Sequence, residues 1–215
     1  MTTSLNERFI THCILLRGTT TNETVDLKQM NIYMNSIDLG RTEDDIKRAN
    51  NLIIKNPIEF DEANVQLLEK LLDSLNKLIA TELTIKDGFL SKMKFGGSHS
   101  LTHLDLSYVC FRDFKEEDQN IFSGAKSLQY LNLSGIKFFN CLPNLFKDLD
   151  HLETLILEET EFKPALEGDH FMYLGNLKEI TMSYTPVKNS NVFKSLTNIE
   201  SIAIEAIEFD GLDVF

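Results

Sequence analysis

LTHLDLSYVCF at residues 101–111 and LQYLNLSGIKF at residues 128–138 decide how this chain folds. Aligned, they place leucine at the first, fourth and sixth positions and phenylalanine at the eleventh. LETLILEETEF from Leu152, LKEITMSYTPV from Leu177 and IESIAIEAIEF from Ile199 fall into the same frame. The frame residues are Leu101, Leu104, Leu106 and Phe111; Leu128, Leu131, Leu133 and Phe138; Leu152, Leu155, Leu157 and Phe162. They continue as Leu177, Ile180, Met182 and Val187, then Ile199, Ile202, Ile204 and Phe209. Successive units start 27, 24, 25 and 22 residues apart, and all twenty frame positions are apolar. A weaker unit precedes them in ATELTIKDGFL, where Ala80, Leu83, Ile85 and Leu90 fit the frame.

A period of this length with an LxxLxL core is that of a leucine-rich repeat. The expected fold is an α/β solenoid of five to six repeats with a curved parallel sheet and a helical N-terminal cap. Each LxL stretch is a short strand whose leucines face the core. One unit cannot cover its own apolar side, so units stack. Residues 142–151, 170–176 and 191–198 carry apolar side chains at spacings of three and four, so the return segments are expected to be helical. The ninth position, where an Asn amide usually bridges adjacent turns, holds Val109, Ile136, Thr160, Thr185 and Ile207. The threonines can still bond backbone, whereas valine and isoleucine must be packed.

Residues 1–79 are expected to form a helical N-terminal region, ahead of a repeat domain over residues 80–215. Residues 4–17 read as an amphipathic helix with Leu5, Phe9, Ile10, Cys13 and Leu16 on one side. Residues 42–54 open with a capping box from Thr42 to Asp45 and continue with Ile46, Ala49, Leu52 and Ile53. Asn56-Pro57 interrupts the chain, and Asp61 caps a third helix striped by Val65, Leu68, Leu72 and Leu75.

Charge narrows the partners. The 215 residues hold 21 basic and 33 acidic side chains, a net charge of −12. The first hundred residues carry 12 basic and 14 acidic groups, and the remainder 9 and 19, so the repeats hold most of the excess. Such a chain repels phosphate backbones, which argues against nucleic acid as a ligand. Cys13, Cys110 and Cys141 form no CxxC pair and read as reduced thiols of the cytoplasm or nucleus. The start, MTTSLNERFITHCILLRG, does not have the form of a signal peptide, and no stretch approaches the length of a membrane helix.

No catalytic constellation, cofactor motif or metal set emerges, so the expectation is a non-enzymatic chain. His103 and Asp105 share one face of a strand, but Tyr130 and Asn132 fill the neighbouring columns, which suits a solvated surface better than a metal site. Positions three, five, seven and eight of each repeat are expected to form the concave face. The candidate partner-binding residues there are His103, Asp105, Tyr108, Tyr130, Asn132, Glu158 and Tyr184. Tyrosine is a favoured interface anchor. Glu158, Glu159, Glu179 and Glu205 make one end acidic and suited to a basic peptide or domain.

SLNERFITHC at residues 4–13 resembles the elongin-C-binding box of ubiquitin-ligase receptors, (S/T)LxxxCxxx(aliphatic). Ser4 and Leu5 match it, Phe9 stands at the cysteine position and Cys13 at the aliphatic one. A box-like helix, a spacer ending in NPIEFDEANVQLLEKLLDSL and repeats with LDLS and LNLS strands together resemble the Zer/Zyg family of leucine-rich-repeat receptors for cullin–elongin ubiquitin ligases. The resemblance implies an elongin-C-like adaptor held by Leu5, Phe9 and Cys13, a cullin partner and an unknown protein substrate. Members of that family continue into armadillo-type repeats. The present sequence stops at Phe215 and so resembles a short member, and no substrate specificity carries over. Residues 56–75 also resemble an F-box helix, although Asn56-Pro57 stands where Leu-Pro is usual. A repeat scaffold with no ligase link is the alternative.

Overall fold

The computed structural model describes residues 13–15, 31–34, 51–54, 59–60, 72, 75–81, 84–85, 95, 99–111, 118, 120–139 and 143–206. The strands are β1 (Cys13–Leu15), β2 (Asn31–Met34), β3 (Asn51–Ile54), β4 (Glu59–Phe60), β5 (Lys77–Ala80), β6 (Thr84–Ile85) and β7 (His103–Asp105). They continue as β8 (Cys110–Phe111), β9 (Tyr130–Asn132), β10 (Lys137–Phe139), β11 (Thr154–Ile156), β12 (Glu161–Lys163), β13 (Glu179–Ser183) and β14 (Ser201–Glu205). The main sheet has nine strands in the order β1-β2-β3-β5-β7-β9-β11-β13-β14. Among the described residues of this sheet only the β1–β2 pair is antiparallel.

The fourth repeat position sets the register. Ile32, Leu52, Leu78, Leu104, Leu131, Leu155, Ile180 and Ile202 stand opposite one another from strand to strand. Alternation along a short strand puts this position and its two neighbours on opposite faces. Leu78, Leu104, Leu131, Leu155 and Ile180 are buried accordingly. The eleventh position lies on the smaller ladders β4-β6-β8 and β10-β12. There Phe138 stacks on Phe162 at 5.2 Å and meets the tilted ring of Phe111 at 6.2 Å. Under the return segments, Phe146, Phe171 and Phe193 form a second aromatic column with ring centroids 5.8 and 6.4 Å apart. Both columns hold the spacing at which aromatic pairs attract.

The ninth position works as its side chains require. Val109 and Ile136 are packed in the core. Thr160 donates its hydroxyl to the Leu133 carbonyl of the preceding repeat at 3.0 Å, and Thr185 donates likewise to Leu157. These hydroxyls tie adjacent turns where an asparagine amide is lacking.

Three expectations need correction. Cys13–Leu15 is strand, so the helix read over residues 4–17 does not extend through them. Asn51–Ile54 is also strand, so the helix read over 42–54 does not include them, and residues 42–50 lie outside the described residues. The described residues of the N-terminal region are mostly strand, and β5 crosses residue 79 within the main sheet. The weak unit is also displaced. Pairing of Leu78 with Leu104 and of Ile85 with Phe111 makes Leu75, Leu78, Ala80 and Ile85 its frame. It starts 26 residues ahead of Leu101. Leu75 thus opens a repeat instead of closing a helical stripe, while Leu72 is helical.

The return segments are less helical than their spacing suggests. Pro143–Phe146 and Ser190–Phe193 are single 3-10 turns, and residues 170–176 hold turns only. A 3-10 turn covers more length per residue than an α-helix, which suits a short return path. The last repeat is also unlike the others. Ile202 is 43% exposed, whereas its register partner Ile180 is 1% exposed. Ile207, Phe209 and the rest of residues 207–215 lie outside the described residues.

Candidate functional site

The open face of the main sheet corresponds to the concave side of a leucine-rich-repeat stack. Strand alternation fixes its two columns. The third repeat position presents Lys77, His103, Tyr130, Thr154, Glu179 and Ser201 in register. The fifth presents Ile79, Asp105, Asn132, Ile156, Thr181 and Ala203. The His103 and Tyr130 rings stack with centroids 5.3 Å apart and planes within 14°. Thr102 Oγ1 lies 3.2 Å from His103 Nδ1.

Beside the rings is a depression of about 290 Å3 lined by Lys77, Leu78, Ile79, His103, Asp105 and Tyr130. Partial burial, reinforced by the Lys77 ammonium, lowers the His103 pKa and favours the neutral imidazole. Burial raises the Tyr130 pKa; the Asp105 and Glu158 charges add to the rise, and a hydrogen bond with Asn132 opposes it. Tyr130 therefore stands in the field of carboxylates from the repeats on either side of it. Among the described residues, no three His, Cys, Asp or Glu side chains stand together as a metal site would require.

Asp105 and Asn132 also shape the backbone. Asp105 Oδ1 accepts the Ser107 N–H at 2.9 Å. Asn132 Oδ1 accepts the Ser134 N–H at 3.0 Å and its hydroxyl at 2.7 Å. Such local bonds turn the chain at the strand end. The eighth position then takes a left-handed conformation in every repeat from Tyr108 onward: φ is 58° at Tyr108, 70° at Gly135, 54° at Glu159, 57° at Tyr184 and 51° at Ala206. Each turn is tied to the next repeat. The N–H groups of Tyr108, Gly135, Glu159 and Tyr184 donate to the carbonyls of Ser134, Glu158, Ser183 and Glu205.

The eighth position thus lies past the strand, on the C-terminal edge of the sheet rather than within the concave floor. Tyr108 and Tyr184 are 53% and 62% exposed there, three repeats apart. Glu158, Glu159, Glu179 and Glu205 are exposed around and between them. Of the partner-binding candidates, His103, Asp105 and Tyr130 share one depression, with Asn132 and Glu158 flanking Tyr130. Tyr108 and Tyr184 stand apart on the edge. Lys77 and Ile79 were missed because the weak repeat was placed five residues too late. The pattern Leu75-x-x-Leu78-x-Ala80 carried the signal. Cys13 lies on β1, while Leu5 and Phe9 lie outside the described residues.

The sequence matches no protein-family profile and no curated protein sequence. Solved structures do resemble it. The mouse RP105/MD-1 complex matches 77% of this chain with a TM-score of 0.58 at 19% identity. The fold is a leucine-rich-repeat solenoid. A TLR13–ssRNA13 complex matches 82% at a TM-score of 0.48 and 20% identity. A leucine-rich-repeat protein from Leptospira interrogans matches 77%, with a TM-score of 0.44 and 16% identity, over 52% of that chain. The solenoid spans 28% of the matched chain in each of the first two complexes.

Proposed function

We propose that this leucine-rich-repeat chain is a non-enzymatic protein-interaction module that takes a basic polypeptide along the open face and C-terminal edge of its sheet. The observation that carries the proposal is the pair Tyr108 and Tyr184. Both are aromatic side chains in left-handed backbone, and both stand exposed on the edge of an acidic repeat stack. A left-handed non-glycine residue costs roughly 1–2 kcal/mol, so each tyrosine stands where glycine would be favoured on backbone grounds alone. Exposed tyrosines with acidic neighbours supply large, rigid contact area and steer cationic partners. Replacing both tyrosines by alanine should weaken capture of the cellular partner by about 2 kcal/mol or more, with melting little changed. Undiminished capture would overturn the proposal.

The finer assignment, a substrate-recognition adaptor of a cullin-RING ubiquitin ligase in cytoplasm or nucleus, rests on Ser4, Leu5 and Phe9 in the elongin-box resemblance. Copurification with elongin C and a cullin, lost in the Leu5→Ala, Phe9→Ala double variant, supports it. A Skp-type adaptor instead supports the F-box alternative. Neither adaptor leaves the scaffold reading.

A further inference from the structure

We infer that the step in the sheet beyond the Tyr130 ring, floored by Thr154, is a subsite for an arginine side chain of the partner. The inference rests on the proposed binding of a basic polypeptide and specifies which residue of it is read.

The argument begins with the ring column. His103 covers one face of Tyr130 almost in parallel. The other face therefore points along the ladder toward the next residue in register, which is Thr154. A threonine is too short to continue the stack, so the column ends in a step one repeat wide. Beyond it the same column presents Glu179, paired in register with Thr154. Glu158 and Asp105 both act electrostatically on the Tyr130 hydroxyl. The step is thus bounded by an aromatic face and by the carboxylates of Glu158 and Glu179 from the next two repeats, while Asp105 lies on the His103 side of the ring.

The chemistry that fits is planar and cationic. A guanidinium stacks on an aromatic face and pairs with carboxylates through a fixed fork of donors. An ammonium ion offers charge without the plane. A neutral aromatic group offers the plane without the charge. Lys77 sits at the far end of the column, behind His103. Its charge disfavours a cation in the depression on that side and favours one beyond Tyr130. This fixes a direction: the partner's arginine lies toward β11 and β13, not toward β5.

The test uses the full chain and Gly-Arg octapeptides with four arginines, compared with their lysine and citrulline counterparts by calorimetry at about 0.15 M salt, where long-range attraction is screened. The arginine peptide should bind about fivefold or more tighter than the lysine peptide, with the citrulline peptide weakest. Thr154→Phe fills the step with a ring that extends the column. It should abolish the arginine preference while leaving the melting temperature at or above that of the wild type, because cross-strand aromatic pairs stabilise sheets. Tyr130→Leu removes the stacking face and should abolish the preference by a second route. Glu200→Gln, which removes one charge outside the step, should leave the preference intact. Equal binding of arginine and lysine peptides, no binding of either, or an arginine preference that survives Thr154→Phe and Tyr130→Leu would overturn the subsite. None of these results bears on the Tyr108 and Tyr184 test, which decides the broader function separately.

Discussion

Gly135→Ala tests how the left-handed edge of the sheet is built. Gly135 has φ of +70°, and a Cβ placed there would lie 2.3 Å from Tyr108 Cδ1 and 2.6 Å from Cε1. The Tyr108 ring from the preceding repeat therefore lies directly on the glycine backbone. Two costs follow. An alanine in left-handed backbone costs roughly 1–2 kcal/mol. The ring must also leave its seat, which its exposure permits, at the loss of its packing on the next repeat. Opposing them, alanine reduces the freedom of the unfolded chain by about 0.4–1 kcal/mol relative to glycine. The net is a destabilisation of about 1–2 kcal/mol, or a melting temperature lower by about 2–8 °C for a chain of this size. Circular dichroism melts of Gly135→Ala, Tyr108→Ala and the double variant separate the two costs. The backbone cost persists in the Tyr108→Ala background, whereas the steric cost disappears. A coupling of at least about 0.5 kcal/mol between the two sites is expected. Equal destabilisation by Gly135→Ala in both backgrounds, or no destabilisation in either, would refute this account of the edge.

Two further predictions concern the end of the stack and the ring column. Ile180→Ala, in the buried fourth position of its repeat, should cost about 2–5 kcal/mol, while Ile202→Ala, at its half-exposed register partner, should cost markedly less; chemical denaturation of the two variants checks the order. His103 has a pKa below its ordinary value, so between that lowered value and the unfolded value of about 6.5 the unfolded chain binds more protons and stability rises with pH. The melting temperature should therefore fall on acidification from pH about 7.5 to about 5.5, by less in His103→Gln, and by an intermediate amount in Lys77→Met, since Lys77 contributes to the lowering.

The repeats were legible where leucine fills the frame, because a buried fourth or sixth position requires an apolar side chain. They became illegible where the frame side chain shrank or the strand shortened. Ala80 stands where later repeats have Leu106 or Leu133, and its small side chain let a false match to Leu83 and Leu90 compete with the true one. Leu52 and Ile53 sat at helical spacing behind a plausible capping box, yet they pair in register with Leu78 and Ile79. Tertiary pairing there overrode a local helical pattern, as it commonly does for short apolar runs. Periodicity correctly placed His103, Asp105 and Tyr130 on one face. It gave no sign that two of them would stack, since that depends on the ladder register of about one strand spacing between their backbones.

The eighth position shows why the binding surface was only half visible. In the strict alternation of a strand it would fall with the fourth and sixth positions and point inward, not join the outward third and fifth. The Asp105 and Asn132 side chains instead accept the N–H groups of Ser107 and Ser134 and turn the chain out of the strand. The next residue is then left-handed, and its N–H is held by the following repeat. Glycine at Gly135 fits that conformation at low cost, whereas the side chains at Tyr108, Tyr184 and Ala206 carry the Cβ penalty. The Tyr108 ring is accommodated because the next repeat offers a glycine beneath it. The arrangement couples two repeats through one aromatic side chain and leaves more than half of that side chain in solvent. Sequence order shows a tyrosine and, 27 residues later, a glycine. Only the register of the stack makes them neighbours, and that register turns an unfavourable backbone position into a rigid, exposed aromatic contact for a partner.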